Sequence, residues 1–205
     1  MAESRRGRVI PTSRIEAFSD GMFAIIITIM VLEIKPPHGT GWSDIKTVVP
    51  GLISYVMSFL FVGIYWGNHH HLLLTVRKLS SGIMLANLNL LFWLSLIPFV
   101  TGWVGQNNFA TLPVAIYAIL LDICGLSYTL LLKMIEANHA DDLLVKERLK
   151  RHSVKGWLSF ACYTAAIPIA YVSSYISVII FFVIAIIWLI PDKSLVLPGE
   201  KEFEI

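Results

Sequence analysis

The residues of this chain that could do chemistry fall in three places. Arg14, Glu16, Ser19 and Asp20 crowd the start of the stretch RIEAFSDGMFAIIITIMVLEIK, residues 14–35. A second group is YWGNHHH, holding Tyr65, Trp66, Asn68, His69, His70 and His71, followed by Asn87 and Asn89 in NLN. Asp122 stands alone in an otherwise apolar run. Ser beside Asp raises nucleophilic catalysis, but neighbours on a helix project about 100° apart, so Ser19 and Asp20 make a poor nucleophile and base. Three successive histidines raise zinc, and the same divergence keeps them from converging tetrahedrally on one ion. No enzymatic activity, metal or cofactor is therefore expected. Hydrogen bonding remains. A carboxylate inside a membrane is costly and pairs or faces a wet cavity, so Asp20 and Ser19 should draw on the donors of YWGNHHH and NLN. His69 and His70, at i+3 and i+4 from Trp66, lie one turn along the same side. Asp122 is expected to pair with a Tyr or Ser hydroxyl, the alternative being a proton or an ion.

The elements that position these groups follow from composition. The chain has 205 residues, 56% hydrophobic and 15% charged, with a mean hydropathy of +0.72. That is too apolar for a soluble domain and marks an integral membrane protein. Charges are collected into clusters that leave 47–76, 79–121 and 156–191 free of Lys, Arg, Asp and Glu. Cys124 and Cys162 lie in apolar runs and read as packing residues. The formal charge of +2 gives no argument for nucleic acid. No cleaved signal is expected, because the first apolar run begins only after Asp20.

A span needs about 20 apolar residues. By that measure the fold class is all-α, an integral membrane bundle of six transmembrane helices in a single domain, with spans near 14–35, 47–74, 80–102, 110–134, 154–171 and 174–190. GWVGQNN, 102–108, divides the third from the fourth, and YVSSY, 171–175, turns the fifth into the sixth. Six spans place Lys35 and Lys46 on one side and the other 14 of the 16 Lys and Arg on the opposite one, so both termini are expected in the cytoplasm. Residues 136–155 read as a solvated helix and the tail after Pro191 as polar and poorly ordered. Pro98 and Pro168, inside spans, are positions for kinks.

At 100° per residue, with Arg14 at zero, Phe18, Gly21, Ile25, Thr28, Ile29 and Leu32 lie within about 60° of one line. Ser19 and Asp20 stand at about 140° and 240°, and Glu33 at about 100°. The apolar face thus serves one neighbour and the polar pair another, with Glu33 off that face but near a mouth where it would attract cations. No second span repeats this layout. If the helix lines a pore, several chains must assemble around an axis.

The combination R-x-x-x-F-S-D at 14–20, an Ile/Thr-rich run, YWGNHHHLL and N-x-N-L-L-F-W-L-S-L-I-P-F resembles the prokaryotic branch of the transmembrane protein 175 family, the endolysosomal-type potassium channels. The resemblance implies a homotetramer in a prokaryotic plasma membrane, conducting K+ without a TVGYG filter. It implies that Ile25 forms the constriction, that Thr28 supplies a hydroxyl beyond it, and that Ile29 and Leu32 form further apolar rings. It also implies that Arg14, Ser19, Asp20, Trp66 and His70 hold the bundle in register, with His69 and His71 as alternatives to His70. Asn68 and Asn87 join this network from the donor groups named above. Beyond self-association the expected partner is the lipid bilayer.

Two other functions fit parts of the pattern. A proton-coupled secondary transporter would use Asp20, His70 and Asp122 as relays, and inverted repeats would favour it; none is visible. A hydrolase would need Ser19 activated by Asp20 or a histidine.

Overall fold

The computed structural model describes residues 11–76, 79–138 and 143–189, with side chains described except at 138 and 143–153. Seven α-helices, with no strand among the described residues, follow in order: α1 (Thr12–Leu32), α2 (Trp42–Leu74), α3 (Ser81–Leu94), α4 (Ile97–Gln106), α5 (Thr111–Asn138), α6 (Leu143–Val172) and α7 (Ser174–Leu189). Four stretches are long and apolar enough to cross a membrane: α1, α2, α3 with α4 taken together, and α5. α7 is apolar but only 16 residues long. α6 is 30 residues long and carries the charged segment at its start. Part of the solvated segment expected at 136–155 is its first turns; residues 139–142 and the polar tail lie outside the described residues.

Local chemistry explains the boundaries. Pro11 precedes α1, and its carbonyl accepts from the Arg14 amide at 3.0 Å. Asp44 reaches back to the Gly41 amide at 2.9 Å, closing the start of α2. Ser80 caps α3 by accepting from the Ile83 amide at 3.2 Å. Pro98 has no amide hydrogen for the Leu94 carbonyl, and the third span breaks just before it, at Ser95 and Leu96. α6 gives way to α7 at Ser173, inside YVSSY, whereas α6 runs helically through Pro168.

GWVGQNN is the main departure from expectation. It was expected to be a loop, yet α4 stays helical through Gln106 and the turn occupies 107–110. Its glycines pack. A Cβ on Gly105 would lie 2.7 Å from Gly51 Cα and 2.6 Å from Ser54 Oγ on α2, and one on Gly102 would meet the Glu33 side chain at 2.8 Å. Helices in lipid gain from such close backbone approach, because small residues there replace a hydrophobic driving force. Hydroxyls reinforce the seam: Ser54 donates to the Thr101 carbonyl at 3.1 Å, and Ser58 Oγ lies 2.6 Å from Thr101 Oγ1 and 2.8 Å from Tyr117 Oη. The turn places Asn108 and Phe109 at positive φ, 49° and 58°. For Phe this is an uncommon conformation, and burial of its ring beside Tyr175 holds it there.

Neighbouring helices run antiparallel. Asp20 meets Trp66, Asn87 meets His69, Asn89 meets Ser127, Asp122 meets Thr164, and Ser177 and Trp188 meet Ala166 and Ser159. The start of α1 and the end of α7 therefore fall at one end of the bundle. α5 is the central rod, with 61% of its apolar window buried against 28% for α1. The α2–α4 seam should be intolerant of a single methyl group. Gly105→Ala should cost about 1–3 kcal/mol through overpacking and lower the melting temperature of the purified protein. Gly67→Ala, whose Cβ meets nothing within 4 Å, should not.

Candidate functional site

Where α1 meets α2 and α3, three buried polar side chains form a chain of bonds. Asn87 on α3 donates through Nδ2 to Ser19 Oγ on α1 at 3.1 Å, and its Oδ1 lies 2.6 Å from His69 Nε2 on α2. Ser19, Asn87 and His69 are each at most 1% exposed. Because the amide oxygen can only accept, His69 Nε2 carries the donating proton. Phe23 sets its ring edge-to-face on the imidazole, with centroids 5.4 Å apart. Asp20 lies outside this buried chain. Its carboxylate accepts from the Trp66 indole at 2.9 Å, and both residues are exposed on the single chain. Ser19 and Asp20 thus face different partners, which leaves no nucleophile and base pair at this position.

The structure rearranges several expected members of the network. His70 was placed in it; His69 takes the position instead, while His70 stacks on Trp66 with rings 6.3 Å apart and 25° from parallel. The i+3 position of His69 falls on the buried face of α2 with Phe61, Val62, Leu72 and Leu73, and i+4 leaves it. Extending the small and apolar spacing of Ser58 and Val62 forward to position 69 would have found it. The His70 and His71 rings lie edge to face 5.7 Å apart while His69 is buried against Asn87, and among the described residues no group of three His, Cys, Asp or Glu side chains converges on a metal site. Asn68 was expected in the network as well. Its amide donates to the Ile64 carbonyl of its own helix at 2.9 Å, and its backbone carbonyl accepts from the Tyr128 hydroxyl. Asn89 turns to Ser127 on α5 at 2.9 Å, as residues two apart on a helix must face different neighbours. Arg14 is exposed, and its side chain makes no hydrogen bond or ion pair among the described residues. It shares the angular position of Leu32, not that of Ser19.

The buried residues of α1 are Ile15, Ser19, Phe23, Ile26 and Met30. On the helical wheel they centre at about 140°, directly opposite the line through Thr28, Gly21, Leu32 and Ile25. That opposite face is bare: Phe18, Ile25, Ile29 and Leu32 are 52%, 53%, 44% and 79% exposed. Thr28 stands among them and donates its hydroxyl proton to the Ile25 carbonyl at 2.9 Å, so the oxygen that remains offers lone pairs only. Glu33 turns away from this face and lies against Gly102 on α4.

Asn87 is the joint among the three helices. Asn87→Leu should strand the Ser19 hydroxyl and the His69 ring without a partner at about 1–3 kcal/mol each, lowering the thermal stability of the purified protein. Asn89→Leu, which touches neither, should cost less.

The profile described as "Endosomal/lysosomal potassium channel TMEM175" matches residues 14–98. A potassium channel of a Chryseobacterium species is 45% identical over 183 residues, which is 89% of this chain and 94% of that one. Human TMEM175, described as an endosomal/lysosomal proton channel, is 35% identical over 86 residues, which span 36% of this chain and 17% of that protein. Among solved structures, the lysosomal potassium-selective channel TMEM175 homolog from Chamaesiphon minutus superimposes with a TM-score of 0.74 at 26% identity, covering 87% of this chain and 96% of that one. On the motifs of its first three spans and on this near full-length likeness, the chain belongs to the TMEM175 family.

Proposed function

We propose that the chain is one subunit of a homotetrameric, potassium-preferring cation channel in a prokaryotic plasma membrane, with α1 of each subunit lining the pore. The observation that carries this reading is the bare face of α1: Ile25, Thr28, Ile29 and Leu32 point away from every helix of their own chain. Its relatives of similar length, from Chryseobacterium and Chamaesiphon minutus, are named potassium channels. Six crossings fit the antiparallel order of the rods. The charge bias of 14 basic residues against 2 puts both ends of the chain in the cytoplasm.

Around a fourfold axis the Ile25 side chains form an apolar ring that excludes water until it widens. Thr28 lies one turn beyond. Its hydroxyl proton is committed to the backbone, so the oxygens facing the axis would replace part of an ion's hydration shell. K+ is less costly to dehydrate than Na+, and a narrow, weakly polar ring favours it. Selectivity of this origin is modest beside a filter of carbonyl oxygens. Ser19, Asn87, His69, Asp20 and Trp66 act as the clamp that fixes the rotation of α1.

Purified protein in liposomes should carry K+ down its gradient without obligatory proton exchange, read with a potassium electrode and an internal pH dye. Ile25→Asn should raise flux by hydrating the ring. Thr28→Ala should lower the K+ over Na+ preference by about fivefold, the equivalent of about 1 kcal/mol of lost interaction. Unchanged flux and preference in both variants removes α1 from the pore. Stoichiometric H+ counterflow would instead establish a proton-coupled transporter.

A further inference from the structure

A second polar centre lies away from α1. Asp122 on α5 is 92% buried, being 8% exposed, and its two carboxylate oxygens have different surroundings. Oδ2 accepts from Thr164 Oγ1 on α6 at 2.9 Å, while Oδ1 is buried with no partner among the described residues. The hydroxyl partner is thus a Thr, where Tyr or Ser was expected. Asp122 lines a crevice of about 60 Å³, open on one side, between α2, α5, α6 and α7. Its walls are largely aromatic, with Phe61, Tyr65, Tyr128, Phe160 and Tyr163 among them, and no residue of α1 lines it. Gly125, one turn after Asp122, and Gly156 keep it open.

A buried carboxylate whose second oxygen lacks a partner is strongly disfavoured unless a proton, a cation or a donor completes it. Asp122 is the crevice's single carboxylate among mostly apolar and aromatic walls, whereas a hard metal ion takes six or more oxygen ligands. Aromatic faces around one anionic group instead suit a weakly hydrated organic ammonium, attracted by the ring quadrupoles and neutralising the carboxylate. Asp122 lies 11 residues into α5, about 17 Å along the helix at 1.5 Å per residue, so the site is near mid-membrane. Phospholipid ammonium groups sit at the interface; a free hydrophobic amine can reach this depth. We propose that this crevice is a binding site for a hydrophobic organic ammonium ion, one per chain, with its charge on Asp122 and its apolar body among the tyrosines and phenylalanines.

The probe is benzyltrimethylammonium, titrated calorimetrically into the intact protein in nanodiscs, against its neutral isostere neopentylbenzene. The ammonium should bind at one site per chain and the isostere about tenfold more weakly or worse, as fits the loss of a charged partner. Asp122→Asn should weaken ammonium binding by a similar factor. Gly125→Leu should abolish it by filling the crevice while leaving the carboxylate in place, so a misfolded Asp122 variant does not remove the test. Equal affinity for the isostere, or full binding to a folded Asp122→Asn protein, overturns the proposal. Displacement of the probe by K+ overturns it in favour of a metal-ion site. Loss of binding in phosphatidylcholine but not phosphatidylglycerol nanodiscs overturns it in favour of a lipid headgroup. Because the readout is binding rather than flux, the result stands apart from the reading of α1 as a pore helix, and Thr28→Ala should leave it unchanged.

Discussion

The bond chain from Ser19 through Asn87 to His69 is the constraint on which the rest depends. In lipid the hydrophobic effect gives little reason for one helix rotation over another, because the tails are as apolar as the side chains. Directional bonds supply that reason. Asn87 can accept from one neighbour and donate to another, so a single amide fixes α1 and α2 relative to α3 at 2.6 and 3.1 Å. Trp66 bonded to Asp20 at 2.9 Å adds a second point nearly one residue around the helix. Two contacts at different angles determine rotation, where one would leave a pivot. Once Ser19 faces inward, the periodicity of the helix leaves Ile25, Thr28 and Leu32 no choice but to face outward.

The same logic operates at the other end of the bundle with different chemistry. Gly51, Ser54, Ser58, Thr101 and Gly105 let α2 and α4 approach until backbone touches backbone, and hydroxyls close the remaining polar groups. Glu33 settles into the space that Gly102 leaves. α1 is thereby held near both ends by α2 and the α3–α4 rod, while the buried residues of its middle, Phe23, Ile26 and Met30, are apolar.

Much of this was legible in the sequence, for physical reasons. Hydropathy runs located the rods, because lipid demands long helices, and the 100° rule separated the inward Ser19 from the outward Ile25. The identity of the clamping histidine was not legible from Trp66 alone, since i+3 and i+4 are both one turn away; it depends on the rotation of α2, which its small-residue seam decides. Gly102 and Gly105 misled because glycine serves equally as a turn residue and as a contact surface, and only the partner helix distinguishes the two. Arg14 was assigned to a network and to the bare face at once. The two assignments are incompatible on a single helix, and the structure puts it on the bare face.

Thr28 shows how a local bond can shape a distant property. A threonine in a helix commonly returns its proton to a carbonyl of the preceding turn, here that of Ile25. The bond makes the hydroxyl a pure acceptor and ties its orientation to the backbone of the residue that would form the constriction. A ring of such oxygens is suited to cations and gives an anion no donor to bind. In the proposed tetramer, a motion that widened the Ile25 ring would also carry the carbonyl that orients Thr28, so that constriction and polar ring would move as one unit. A hydrophobic gate and a weak cation-selective ring can therefore be built from a single turn of helix, without the separate backbone loop that a carbonyl filter requires.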